Sequence, residues 1–163
     1  MDSNNKTPAP DTRQFLNAVA ECTAPFGWQL QSFTRDEEFI VVVALENDPS
    51  FEQVVWLYNT EHVSVRCLLV SRAEVPAERR HSIFELCARV NDGLTFGCLE
   101  YSFSDAALMF RESADLDACG PLAQVIHEIS ARVLDLGRRY RDAIEATLKG
   151  EPPEQAIIKA EPN

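Results

Sequence analysis

Residues 39–70 read FIVVVALENDPSFEQVVWLYNTEHVSVRCLLV, and this stretch decides the fold. Phe39 to Leu45 is an unbroken apolar run rich in β-branched residues. It is too short to span a bilayer and has the composition of a strand buried on both faces. Asn47-Asp48-Pro49-Ser50 supplies turn chemistry, because Asn, Asp and Ser bond to nearby backbone and proline presets its own φ. Phe51 to Tyr58 then reads as a further strand, Asn59-Thr60-Glu61 as a turn, and His62 to Val70 as another strand. In the last of these, Val63, Val65, Cys67 and Leu69 alternate with His62, Ser64, Arg66 and Leu68, so one face is oily and the other mostly polar. Consecutive strands joined by turns this short pair antiparallel.

Upstream, Trp28 to Thr34 predicts one more strand, closed by the turn Arg35-Asp36-Glu37. Before it, Asp11 and Thr12 start a helix whose apolar face is Phe15, Leu16, Val19 and Cys22, and Ala24-Pro25-Phe26-Gly27 ends it. Downstream, Val75-Pro76 opens a second helix with Pro76 at the first helical position, where a missing N–H costs nothing. Its stripe is Ile83, Phe84, Leu86, Cys87 and Val90, and Asn91-Asp92-Gly93 stops it, with Asn91 in left-handed or capping geometry. Thr95 to Phe103 and Ala106 to Glu112 form a hairpin around Ser104-Asp105. Gly97, early in that hairpin, predicts a bulge or the close approach of another backbone. Gly120-Pro121 starts a long helix, in which Leu122, Val125, Ile126, Ile129, Val133, Leu136, Tyr140, Ile144 and Leu148 keep a spacing of three or four. Gly137 inside it costs about 1 kcal/mol relative to alanine and leaves room for close packing.

The order is therefore α-ββββ-α-ββ-α. It predicts an α+β fold, a two-layer sandwich in which helices cover a six-stranded antiparallel sheet. The long helix lies on the same face or is swapped against a partner. Residues 1–10 read as a disordered N-terminal tail, 11–149 as a single domain, and 150–163 as a mobile C-terminal tail.

The chain has 163 residues, 26 acidic and 15 basic, and a net charge of −11. That balance argues against nucleic acid and anionic membrane as partners, since both reward clustered Lys and Arg. The opening MDSNNKTPAP has no apolar signal region, so a cytoplasmic location is expected. Five cysteines without a CxxC pair read as reduced, mostly buried thiols, with Cys119 beside Gly120 and Cys98 as the candidates for reactivity. With His62, His81 and His127 they show no short paired spacing, so neither a metal nor a cofactor is expected.

Catalytic patterns are absent from the sequence. Glu37-Glu38 and Asp115 with Asp117 flank elements in solvated turns, whereas an acid/base pair needs one desolvated carboxyl. His127-Glu128 lies in the long helix without a second histidine at zinc-binding spacing, and there is no GxSxG elbow or glycine-rich phosphate loop. The one local basic group is Arg138, Arg139 and Arg141 with Arg132, close to Asp135, Asp142 and Glu145, which reads as a solvated, paired helix face. No catalytic residue is assigned.

From Val63 through Ile157 the chain resembles the YbjN-like family of bacterial proteins, labelled sensory transduction regulators. The resemblance is carried by a strand followed by Val75-Pro76-Ala77-Glu78-Arg79-Arg80, a helix ending at Asn91, and a strand with Gly97-Cys98-Leu99-Glu100. A paired strand ending Leu108-Met109-Phe110-Arg111 follows, then a long helix with Tyr140, Ala143 and Ile144, then Gly150, Pro153 and Ala156-Ile157. Cys98 stands where a larger residue is more usual. The resemblance implies a fold like that of type III secretion chaperones, commonly dimeric, with no catalytic residues.

The candidate binding residues are Trp56 and Tyr58, as core or as a partner groove, and Arg66 and Arg111, as surface ion pairs or as anion anchors. The function expected first is a non-enzymatic chaperone-like or adaptor module, a homodimer that holds another protein. The alternative is a sensing domain with a small-molecule pocket between sheet and long helix; a thiol enzyme or redox sensor comes third.

Overall fold

The computed structural model describes residues 10–161 and is an α+β two-layer sandwich. Helix α1 (Thr12–Thr23) starts in a capping box: Gln14 N–H donates to Asp11 Oδ1 (2.7 Å) and Asp11 N–H donates to Gln14 Oε1 (2.9 Å). Four strands follow as a meander, β1 (Leu30–Arg35), β2 (Glu38–Ala44), β3 (Phe51–Asn59) and β4 (Ser64–Ser71), each antiparallel to the next. Asp48 Oδ1 accepts from Ser50 N–H and Phe51 N–H (2.8 and 2.9 Å), which makes the turn read from Asn47-Asp48-Pro49-Ser50.

The chain then crosses through α2 (Arg80–Asp92) to the far edge of the sheet. There it forms β5 (Cys98–Ser102) and turns back as β6 (Ala107–Asp115) between β5 and β4, for a strand order β1-β2-β3-β4-β6-β5. Helix α3 (Leu122–Leu148) packs on β4 and β6 of its own sheet, beside α1 and α2. Its predicted stripe is the buried one from Val125 through Ile144. A Cβ on Gly137 would stand 2.3 Å from Leu69 Cδ2 and 3.1 Å from the Phe51 ring, so the glycine sets how closely α3 approaches the sheet.

Three details differ from the sequence reading. Pro76 does not open α2; it precedes a single 3-10 turn, Ala77–Arg79, and the α-helix begins at Arg80. Asn91 takes neither left-handed nor capping geometry. Its side chain acts as a strand partner, accepting from Leu99 N–H (2.8 Å) and donating to Leu99 C=O (3.0 Å), which ties the end of α2 to β5. Finally, the expected C-terminal tail contains a helix, α4 (Pro153–Ile158), packed on α2 and α3 with Ala156 buried. Tyr140 Oη donates to Glu161 just beyond it. The N-terminal tail, apart from Pro10, lies outside the described residues.

Candidate functional site

The two aromatic candidates belong to the core. Trp56 is fully buried, and its Nε1–H donates to Ser130 Oγ of α3 (2.9 Å). Tyr58 is 1% exposed, stacks on Phe15 at 5.0 Å between centroids, and donates from Oη to the Pro10 carbonyl (2.6 Å). Neither ring faces a groove, because both point toward the helices from alternate positions of β3. As binding residues they are corrected to core residues.

Arg66 and Arg111 lie on the opposite face of the sheet. Arg66 pairs with Glu38 across β3. Arg111 pairs with Glu100 Oε2 (2.9 Å) and donates to Ser113 Oγ (3.0 Å). The same face carries a second apolar cluster, Ile40, Val55, Leu57, Val70 and Met109, which no helix residue joins. The four candidates are therefore divided between two faces. The basic group of α3 is paired, Arg138 with Asp135 and Arg141 with Asp142 as expected, but Arg132 pairs with Glu128 and Arg139 with Glu161, while Glu145 takes Lys149.

Gly97 has φ +72°, and a Cβ there would lie 3.2 Å from the Arg111 carbonyl oxygen, the close backbone approach expected, as well as 2.8 Å from Leu136 Cδ1 and 3.2 Å from Glu112 Oε2. Glu112 is 7% exposed, and its Oε2 has no hydrogen-bond partner among the described residues. The register sets it beside Cys67, which in turn neighbours Trp56, in one row under the helices.

Burial dominates the thiols. It raises Cys67 strongly, raises Cys22, and pushes Cys87 up to about 12. Cys98 is also raised by burial, against the lowering pull of Arg111. A raised thiol holds little thiolate, the nucleophilic form, at neutral pH. Cys119 is exposed. Among the described residues no cluster of His, Cys, Asp and Glu is arranged to hold a metal ion, and no helix is long and apolar enough to cross a membrane.

Two other places carry surface chemistry. The first is the β5 edge. β5 pairs with β6 on one side only; no described strand pairs with it otherwise, and the Asn91 side chain engages the Leu99 backbone. Phe96 precedes the strand and Phe103 follows it. Phe103, Tyr101 and Phe84 of α2 form a ring cluster with centroids 5.3–5.6 Å apart. Phe103 is 79% exposed and Phe96 56%, with the Arg132 guanidinium 4.3 Å over the Phe96 ring. The sequence reading used Phe84 only as core; the signal it passed over was a phenylalanine at each end of one short strand.

The second is a cleft of about 430 Å3 where the β2–β3 turn and the end of β4 meet the last turns of α3. It lies between sheet and long helix, as the sensing alternative expects, but its cations are Arg72, Arg141 and Lys149 and not Arg66 or Arg111. Comparison with protein-family models, with curated proteins and with solved structures finds no match to this chain.

Proposed function

We propose that this chain is a non-enzymatic protein-binding module of chaperone-like or adaptor type, working in the cytoplasm, that holds an extended segment of another polypeptide along the free edge of β5. The observation that carries the reading is the ring cluster of Phe84, half-buried Tyr101 and solvent-exposed Phe103 beside an edge strand that no described strand pairs on its outer side. Asn91 already engages the Leu99 N–H and C=O, so the stretch of edge left for an added strand is Glu100–Ser102, beside the rings that would flank its side chains. Aromatic residues, phenylalanine included, are enriched in protein–protein interfaces relative to the rest of the surface. With a net charge of −11, the module favours a segment whose apolar residues are flanked by Lys or Arg. The sequence resemblance to YbjN-like proteins, which implies a fold like that of type III secretion chaperones, points the same way.

The test compares the tagged wild-type chain with Phe103→Asp in capture from source-cell lysate, with masses by light scattering. The expected result is a basic polypeptide held by wild type, released by high salt and absent from the variant. Equal capture by both proteins, or none by either, contradicts the reading. A wild-type dimer that the variant turns into a monomer assigns the edge to a second copy, the homodimer expected from sequence.

A second reading, a small-molecule sensing domain, is favoured by the cleft between sheet and α3.

A further inference from the structure

The cleft beside α3 has a composition unlike the rest of the molecule. Its floor is apolar, with Phe51 from β3 and Ile144 and Leu148 from α3. Its rim carries Arg72, Arg141 and Lys149 against one carboxylate, Glu145, in a chain whose net charge is −11. Glu145 is engaged on both oxygens, by Lys149 Nζ (3.2 Å) and by Ser50 Oγ (3.5 Å). Among the described residues Arg141 pairs with its sequence neighbour Asp142, Nε to Oδ1 at 3.3 Å.

Arg72 is the distinctive group. Its guanidinium donates to three backbone carbonyls, from Nε to Asp48 (3.2 Å) and from Nη2 to Leu45 (2.9 Å) and Phe51 (3.1 Å). Carbonyls orient a guanidinium without cancelling its charge, and no carboxylate pairs with it among the described residues. The result is a fixed, unneutralised cation at the mouth of an apolar cleft, the arrangement that orients an amphipathic ligand by its head while its body displaces water.

We infer that this cleft binds a small amphipathic anion, a carboxylate on an apolar chain, with the head between Arg72 and Arg141 and the chain over Phe51, Ile144 and Leu148. The inference rests on the sensing reading and names the ligand chemistry of that site. It is independent of the β5 edge.

The experiment is an NMR titration of the full 15N-labelled chain with decanoate below its micellar concentration, with decanol and inorganic phosphate as controls. Decanoate is expected to shift the amides of Phe51, Arg72, Ile144 and Leu148 saturably, and each control to bind at least about tenfold more weakly. Arg141→Gln, at a half-buried surface position, is expected to weaken decanoate about tenfold and leave decanol unchanged; Arg72→Lys, which keeps the charge but loses the fork, is expected to weaken it less. Decanol binding as tightly as decanoate overturns the anion assignment and leaves the sensing reading standing. Phosphate binding as tightly overturns the apolar-body assignment. If no compound shifts the lining amides, both the inference and the sensing reading of this cleft fall.

Discussion

The core under α1 and α3 and the lip beside β5 are both built around aromatic rings, in opposite settings. Phe15, Trp56, Tyr58, Phe110 and Tyr140 are fully or almost fully buried, stacked in pairs or hydrogen-bonded to a neighbouring element. Phe84, Tyr101 and Phe103 touch one another as closely, yet Phe103 stands 79% in solvent. Rings removed from water stabilise a fold through the area they bury and the contacts they make. A ring left in water does little for the fold and remains available to a partner. The difference separates residues that hold the structure together from residues offered to another molecule, and each prediction below breaks or sharpens that division.

The largest effect belongs to the core. Trp56→Ala removes a fully buried indole and its hydrogen bond to Ser130 Oγ, and should cost about 3–5 kcal/mol in urea unfolding; a loss under about 1 kcal/mol would mean that the helix-covered face is not the principal core. Gly137→Ala comes next. Helix propensity alone would make alanine better by about 1 kcal/mol. Contact with Leu69 and Phe51 should reverse that sign, for a net loss of about 1–3 kcal/mol by the same measurement.

Glu112 stands apart on the buried face, a carboxylate with one oxygen unpartnered among the described residues, in a row otherwise shared by Cys67 and Trp56. Glu112→Met should raise stability by about 1 kcal/mol, because it removes an unsatisfied polar group and fills similar volume. A loss of that size would show that the carboxylate has a favourable role in the folded chain.

The smallest effects concern the thiols. Iodoacetamide should label Cys119 in the native protein and reach Cys67 and Cys87 only after unfolding, as read by mass spectrometry. Because burial lifts these two above the ordinary thiol value of about 9, the native state holds their protons more tightly than the unfolded chain does. Their contribution is complete below about pH 9 and is lost as the pH climbs toward 12, so the urea midpoint should fall over that range.

Much of this arrangement was legible in local pattern. The spacing from Val125 to Ile144 gives the buried side of α3, and the alternation of Val65, Cys67 and Leu69 gives the inward side of β4. What sequence pattern does not carry is choice of neighbour. The 104–105 turn predicts that β5 and β6 pair, but β6 lies next to β4 through contacts distant in sequence, Val70 with Met109 and Ser64 with Asp115. Asn91 reads as a helix stop because asparagine tolerates such positions, and only the folded chain brings Leu99 within reach of its amide. Helix α4 is too short to persist on propensity and exists by packing Ala156 against α2 and α3, so the prolines before it suggested a tail. The candidate sites escaped for the same reason. Nothing local distinguishes Phe103 in solvent from Phe110 in the core, or Arg72 on three carbonyls from any other loop arginine.

The most direct test of the division between core and lip is to measure Phe103→Asp twice, once for its melting temperature and once for capture of the wild-type partner. The account predicts a melting temperature within about 2 °C of wild type, as for an exposed substitution, together with loss of the partner. A large fall in melting temperature with the partner retained would place Phe103 among the residues that hold the fold and remove the β5 edge as the binding site.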